Sequence, residues 1–200
     1  MLVRIDEVAL PYFYANFFMD YFLMITKPLP GEYPEWFAGE IEKVFYNDLI
    51  KGLGASYETT LPFLQNLEDE DLDYCYAEGK WTIKQIWQHI IDVERVLSYR
   101  ALRYARQDST VLQGFDENKY AENSLADDSD FTDILNEYGL VRQSTIALFK
   151  SFTEEMFMYK GTAGKSTMTV RSVGYLILGH EIHHVNTIKE KYLLRNREEE

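Results

Sequence analysis

The sequence predicts an all-α protein, an up-and-down four-helix bundle preceded by an extended arm. Three observations carry that expectation. Apolar residues recur every three or four positions over four long segments, no run alternates convincingly in the strand manner, and no internal repeat divides the 200 residues. A hydrophobic content of 46%, with fifteen tyrosines, twelve phenylalanines and three tryptophans, is enough for one sizeable core.

The elements follow in order. Residues 1–25 are an apolar, aromatic extension containing ALPYFYANFFMDYFLMI, interrupted by Pro11, Asn16 and Asp20. At about 17 residues it sits at the lower limit for a membrane span. Arg4 is outweighed by Asp6 and Glu7, unlike the basic opening of a signal peptide. It reads as a segment that packs on the domain or on a second subunit, with Met24 as an alternative start. The bundle domain is placed at 26–200. It opens on TKPLPGEYPEWF, whose prolines forbid a regular helix and predict an arm.

Ile41, Val44, Phe45, Leu49 and Leu53 predict a first helix over about 38–67, with Gly52 and Gly54 weakening its middle. The second opens at Thr82 with Gln85 three residues on, a capping box, and runs to about Arg106. A polar loop follows, QDSTVLQGFDENKYAENSLADDSD, long enough to act as a lid. The third helix starts near Ser129 or Asp130 and passes through Phe131, Leu135, Tyr138, Ile146 and Phe149. Thr153 to Glu155 can begin one short turn. Thr169 caps a last helix to about Arg195. TMTV could pair as a strand, but nothing obvious answers it.

Composition narrows the function classes. With 33 acidic against 20 basic residues the net charge is -13, which repels phosphate backbones and anionic membranes. No nucleic-acid or membrane partner is expected. A single cysteine, Cys75, excludes an internal disulfide and a thiolate metal cluster, and it fits a reducing, cytoplasmic setting. Its acidic and aromatic neighbours do not activate it as a nucleophile. GTAGKST imitates a phosphate loop, yet Tyr159 stands where the first glycine is required and no strand leads in, so nucleotide binding is rejected.

Three of the four histidines fall within GHEIHHVNTI, residues 179–188. His180 and His184 lie four apart on one helix face, on the stripe Val173, Ile177, His180, His184, Ile188. His89 occupies the stripe Ile86, His89, Val93, Val96 of the second helix. Three imidazoles aimed at one interior would leave several nitrogens unsatisfied, at about 1–3 kcal/mol each. A divalent metal resolves this, and three neutral nitrogens suit Zn, Ni, Fe or Mn. His183 lies about 100° around the helix from His184, which fits an acid–base or substrate contact at the edge. Asp92, three residues after His89, is the candidate base on metal-activated water, or the partner of a ligand's second N–H; a solvated helix carboxylate is the plain reading.

Several stretches together resemble the DinB-like (DinB/YfiT-like) superfamily of metal-dependent four-helix bundles. They are KPLPGEY, YAEGKWTIKQIWQHIIDVERVLSYRALRYAR, GFDENKY and TVRSVGYLILGHEIHHVNTIKEKYL, in order and correctly spaced. The likeness spans residues 26 to about 194 and has no counterpart for 1–25. It implies a metal held by His89, His180 and His184, and often a homodimer. Some relatives resemble thiol-dependent transferases, which implies a low-molecular-weight thiol under the GFDENKY loop, with Phe115, Asp116 and Tyr120 facing it. The expected function is therefore a metal-dependent hydrolase or thiol transferase acting on a small molecule. The competing expectations are a non-catalytic dimeric metal-binding or stress-response protein, and a plain bundle with satisfied core histidines.

Overall fold

The computed structural model describes residues 24–194. The extension placed at 1–25 lies outside the described residues except for Met24 and Ile25, as does the end of the tail. Ile25 is buried: its N–H donates to Asp48, and its carbonyl accepts from Leu49 N and the Tyr175 hydroxyl. The predicted arm is present. Glu32 fastens it to the last helix by a bidentate pair with Arg171 and a 3.0 Å bond from the Thr169 hydroxyl.

The described helices are α1 (Ala38–Ile41), α2 (Leu49–Gln65), α3 (Asp69–Leu72), α4 (Ile83–Ala105), α5 (Glu117–Glu122), α6 (Phe131–Lys150) and α7 (Val170–Thr187). A hairpin of β1 (Lys160–Ala163) and β2 (Ser166–Thr169) joins α6 to α7. The capping box at Thr82 and Gln85 forms with both bonds at 3.1 Å. Asp130 and Thr169 cap α6 and α7, as their side chains predict. The short turn after Thr153 forms at Glu155–Met158.

Four expectations are corrected. The single helix over 38–67 is two elements, because Asp48 caps α2 by accepting from Lys51 N at 2.8 Å and turns the chain there. Gly52 and Gly54 do not interrupt α2; Gly52 instead admits close packing, since a Cβ there would stand 2.9 Å from that of Tyr46. The strand segment near TMTV is answered by Lys160–Ala163, with Gly164 at φ 58 in the turn, so GTAGKST is hairpin. The long polar loop is not structureless either. It carries α5, capped by Asp116, and Leu112 bridges to Ala163.

Four helices make the bundle: α2 packs on α6 and α7, and α4 packs on α6 and α7. The order around the bundle is thus α2, α6, α4, α7, with the consecutive pair α2 and α4 on a diagonal. Two apolar clusters mark its ends. One holds Leu49, Leu53, Leu97, Ala101, Phe149 and Val173; the other holds Leu64, Ile86, Ile90, Ile134, Val185 and Ile188. Tracing each helix between them shows α4 and α6 running the same way, whereas α2 to α4 and α6 to α7 alternate. The 106–130 connection must therefore return along a bundle about 30 Å long, which accounts for its length.

Between the two clusters lies a polar layer. Arg142 is fully buried and pairs with Glu94 at 2.8 Å and with Glu181. Glu181 also accepts from Ser56, from Thr60 at 2.9 Å and from Tyr138 at 2.9 Å, and Arg142 donates to Leu53 O at 3.2 Å. Burial alone would raise the Glu181 carboxyl, but the Arg142 charge and these bonds hold it below the usual carboxylate range.

Candidate metal centre

The site is built on α4 and α7, which pack against each other along the bundle. Apolar neighbours at the ends of each stripe force both helices to turn these faces inward. His89 thereby projects from α4 toward α7, while His180 and His184 lie one turn apart on α7. The His180 Nε2 is 3.1 Å from His89 Nε2 and 3.1 Å from His184 Nε2. Trp81, just before the capping box, packs its ring on His89 at 4.8 Å. Gly179 matters for the same geometry: a Cβ there would collide with the Glu40 carbonyl, so glycine lets α1 close over α7 beside His180.

All three rings are held neutral. Burial lowers His89 to about 4. His184 falls to about 3, from burial and then the charges of His89, His183 and Lys43. Burial, followed by the other three histidines, takes His180 well below its ordinary value. Neutral imidazoles expose the lone pairs that a metal requires. Among the described residues these three offer nitrogens within 4.8 Å of one another, with no thiolate or carboxylate in the group. Tetrahedral ligands at 2.0–2.1 Å from an ion stand about 3.3 Å apart, close to the two 3.1 Å separations from His180. The donor set fits a divalent ion with a coordination position left open.

The open side faces a cavity of about 310 Å³ bordered by Phe37, Glu40, Arg100, Phe115 and Glu117 along with the histidines. His89 is buried, whereas His180 and His184 keep part of their surface toward this space. His183 also lines it, but its Nδ1 takes the Lys43 ammonium at 3.0 Å, which sets it apart from the trio as its position on the helix foretold. Burial and then Lys43 lower its pKa.

The other predicted site residues divide. Phe115 lines the cavity. Tyr120 packs its ring at a tilt against Phe115 at 5.0 Å but stays exposed on the outside of the loop. Asp116 is spent on the cap of α5, accepting from Asn118 N at 3.1 Å and Lys119 N at 3.2 Å. Asp92 accepts from Gln88 at 3.4 Å and lies 3.8 Å from Arg95, two neighbours on its own helix that also reach Glu137 of α6; it is not among the residues bordering the cavity. Sequence reasoning overlooked Arg100, which continues the stripe His89, Val93, Leu97 at helical spacing and was findable there. Glu40 and Glu117 gave no such signal, because folding alone brings α1 and α5 to the mouth.

A four-helix bundle whose inner face gathers three neutral imidazoles at an open cavity defines a class of bundle with a candidate metal site. The sequence model of the DinB superfamily matches residues 53–188, and the chain belongs to that family. It is 24% identical over 129 residues to the "Putative metal-dependent hydrolase YfiT" of Bacillus subtilis, covering 62% of this chain and 71% of that one. A relative with the same descriptive name from Geobacillus kaustophilus is 27% identical over 158 residues, covering 77% and 80%. Another from Oceanobacillus iheyensis is 29% identical over 87 residues, 43% of this chain and half the length of that relative. The solved structure of YfiT, described as having "an unusual four-helix bundle topology", superposes with a TM-score of 0.66 at 22% identity, over 74% of this chain and 85% of that one. Among the described residues no helix is long and apolar enough to cross a membrane.

Proposed function

We propose that the protein is a metal-dependent hydrolase of small molecules, with His89, His180 and His184 as the metal ligands. One observation carries this: three neutral ring nitrogens converge on a point that opens onto a cavity rather than into packed core. A divalent ion held there supplies Lewis-acid chemistry, polarising a substrate oxygen or activating water at neutral pH. The chain's own part is to fix the three rings, which α4 and α7 do by packing. It also limits water at the mouth, through Phe37, Trp81 and Phe115. His183, at the rim and hydrogen-bonded to Lys43, is positioned to exchange a proton with a bound molecule.

The descriptive names of the three relatives favour water as the nucleophile. A thiol-dependent transfer would use the same nitrogens, and a strict requirement for thiol in turnover would replace the hydrolase reading with it. The test is metal content by plasma mass spectrometry on wild type and His180→Ala, followed by ester and amide hydrolysis before and after chelation. About one ion per chain in wild type, lost in the variant together with turnover, is the expected result. A wild-type protein that takes up no metal on reconstitution would overturn it.

A further inference from the structure

The cavity beside the histidines carries charges that the hydrolytic reading does not use. Arg100 lies eleven residues after His89 on the same face of α4, about 16 Å along the axis, and helical side chains lean back toward the N-terminus, here toward the trio. Its guanidinium has a long 3.4 Å bond to the Gln113 carbonyl and rests 5.8 Å from the Phe115 ring. No described carboxylate stands within ion-pair distance of it. Arginine has five N–H donors in a fork that matches a carboxylate, and here most of that capacity is unused.

Two carboxylates border the same space. Glu40 is half-buried at the end of α1, and Glu117 lies at the exposed rim, contributed by the loop between α4 and α6. Among the described residues neither side chain makes an ion pair or hydrogen bond. Burial, with the Glu117 charge adding to it and Lys43 opposing it, raises Glu40 above its ordinary value. Loss of hydration at the mouth raises Glu117, against the pull of Arg100. Lys43 is engaged by His183. The wall therefore holds one cation and two anions that among the described residues form no salt bridge, although Arg100 and Glu117 attract each other across the space, and it is lined alongside by the apolar Phe37, Val93 and Leu97.

A purely anionic ligand would meet Glu40 and Glu117, and a purely cationic one would meet Arg100. We propose that the substrate is a small zwitterion whose carboxylate is taken by Arg100 and whose ammonium is taken by Glu40 and Glu117, with its remaining length directed toward the three histidines. This deepens the hydrolase reading and rests on it. A cavity of about 310 Å³ suits a molecule of dipeptide size.

The test is calorimetric titration of the metal-loaded protein with glycyl-L-leucine, its N-acetyl derivative and its C-terminal amide, with metal content measured on the same samples. The free dipeptide is expected to bind at least about tenfold tighter than either blocked form. Arg100→Gln should bring the dipeptide and its amide to equal affinity, and Arg100→Lys should give an intermediate loss, since it keeps the charge without the fork. Glu40→Gln combined with Glu117→Gln should equalise the dipeptide and its N-acetyl form. Equal binding of all three probes, or no binding by a protein carrying one ion per chain, overturns the proposal and leaves the metal site standing. A preference that survives in every variant is chelation by the ion alone and also overturns it. Should the wild type hold no metal, the hydrolase reading fails, and the charge preference read on that metal-free protein decides the subsite separately.

Discussion

Residues 180 and 181 are neighbours on one helix, and each belongs to a buried polar cluster of opposite character. Glu181 joins Arg142, Glu94, Ser56, Thr60 and Tyr138, where every charge meets a protein partner. His180 joins His89 and His184, whose Nε2 atoms among the described residues have only one another and face a cavity. The first cluster is closed: it fixes how α7 is rotated against α2, α4 and α6. The second is open, because that same rotation presents His180 and His184 to His89. Satisfaction by the protein's own groups marks a framework, and convergence without satisfaction marks a site.

The comparison can be broken most sharply by removing the central cation. Arg142→Met leaves Glu94 and Glu181 buried face to face, and the expected cost is about 3–5 kcal/mol. Urea unfolding of the metal-free protein reads it. His184→Leu in the same metal-free background should change stability by less than about 1 kcal/mol, since one neutral ring is replaced by a packed apolar group. Equal losses in the two variants would show that both clusters are framework. They would dissolve the distinction drawn between them.

Metal separates the clusters in the other direction. With free ion at a hundred times its dissociation constant, the wild type should gain about 2.7 kcal/mol, and His180→Ala should gain nothing. Thermal unfolding with and without chelator measures both. Glu94→Gln disturbs only the closed cluster. It should lower the melting temperature while keeping the full metal-dependent increment, which is the signature of a framework residue.

These two clusters were not equally legible in the sequence. The histidines stood out because an imidazole on a core stripe needs a reason, and the spacing of His180 and His184 supplied it. Glu94, Arg142 and Glu181 carry no such signal in the sequence, since one charged residue does not show which face it occupies. Only the packing of four helices brings them together. The caps at Thr82, Asp130 and Thr169 were local and so were readable. The break at Asp48 was not, because Asp48 is held by the Ile25 N–H as well as by its own helix. Nor did periodicity reveal that α4 and α6 run in the same direction, because it carries no information on which end of a helix meets which. The same limit hid Glu40 and Glu117, which come from separate segments at the mouth.

A third polar cluster, Glu32 with Arg171, Thr169 and Leu29 N, tests the comparison most finely because it is closed like the first but sits near the surface. Burial pushes the Glu32 carboxyl up, yet the hydrogen bonds from Arg171, Leu29 N and Thr169 outweigh it and leave its pKa below the ordinary value. A carboxyl whose folded pKa is depressed binds fewer protons folded than unfolded. Its contribution is complete above the unfolded value and is lost as pH falls through the folded one. Glu32→Gln should therefore cost on the order of 1 kcal/mol at pH 7. The gap to wild type should narrow as pH is lowered below about 4.5. The metal-dependent increment should not change, since Glu32 holds Thr169 and Arg171, about two and a half to three turns before His180. Urea titrations at several pH values would read this directly. A gap that stayed constant with pH would mean the arm is held by its packing rather than by the Glu32 charge.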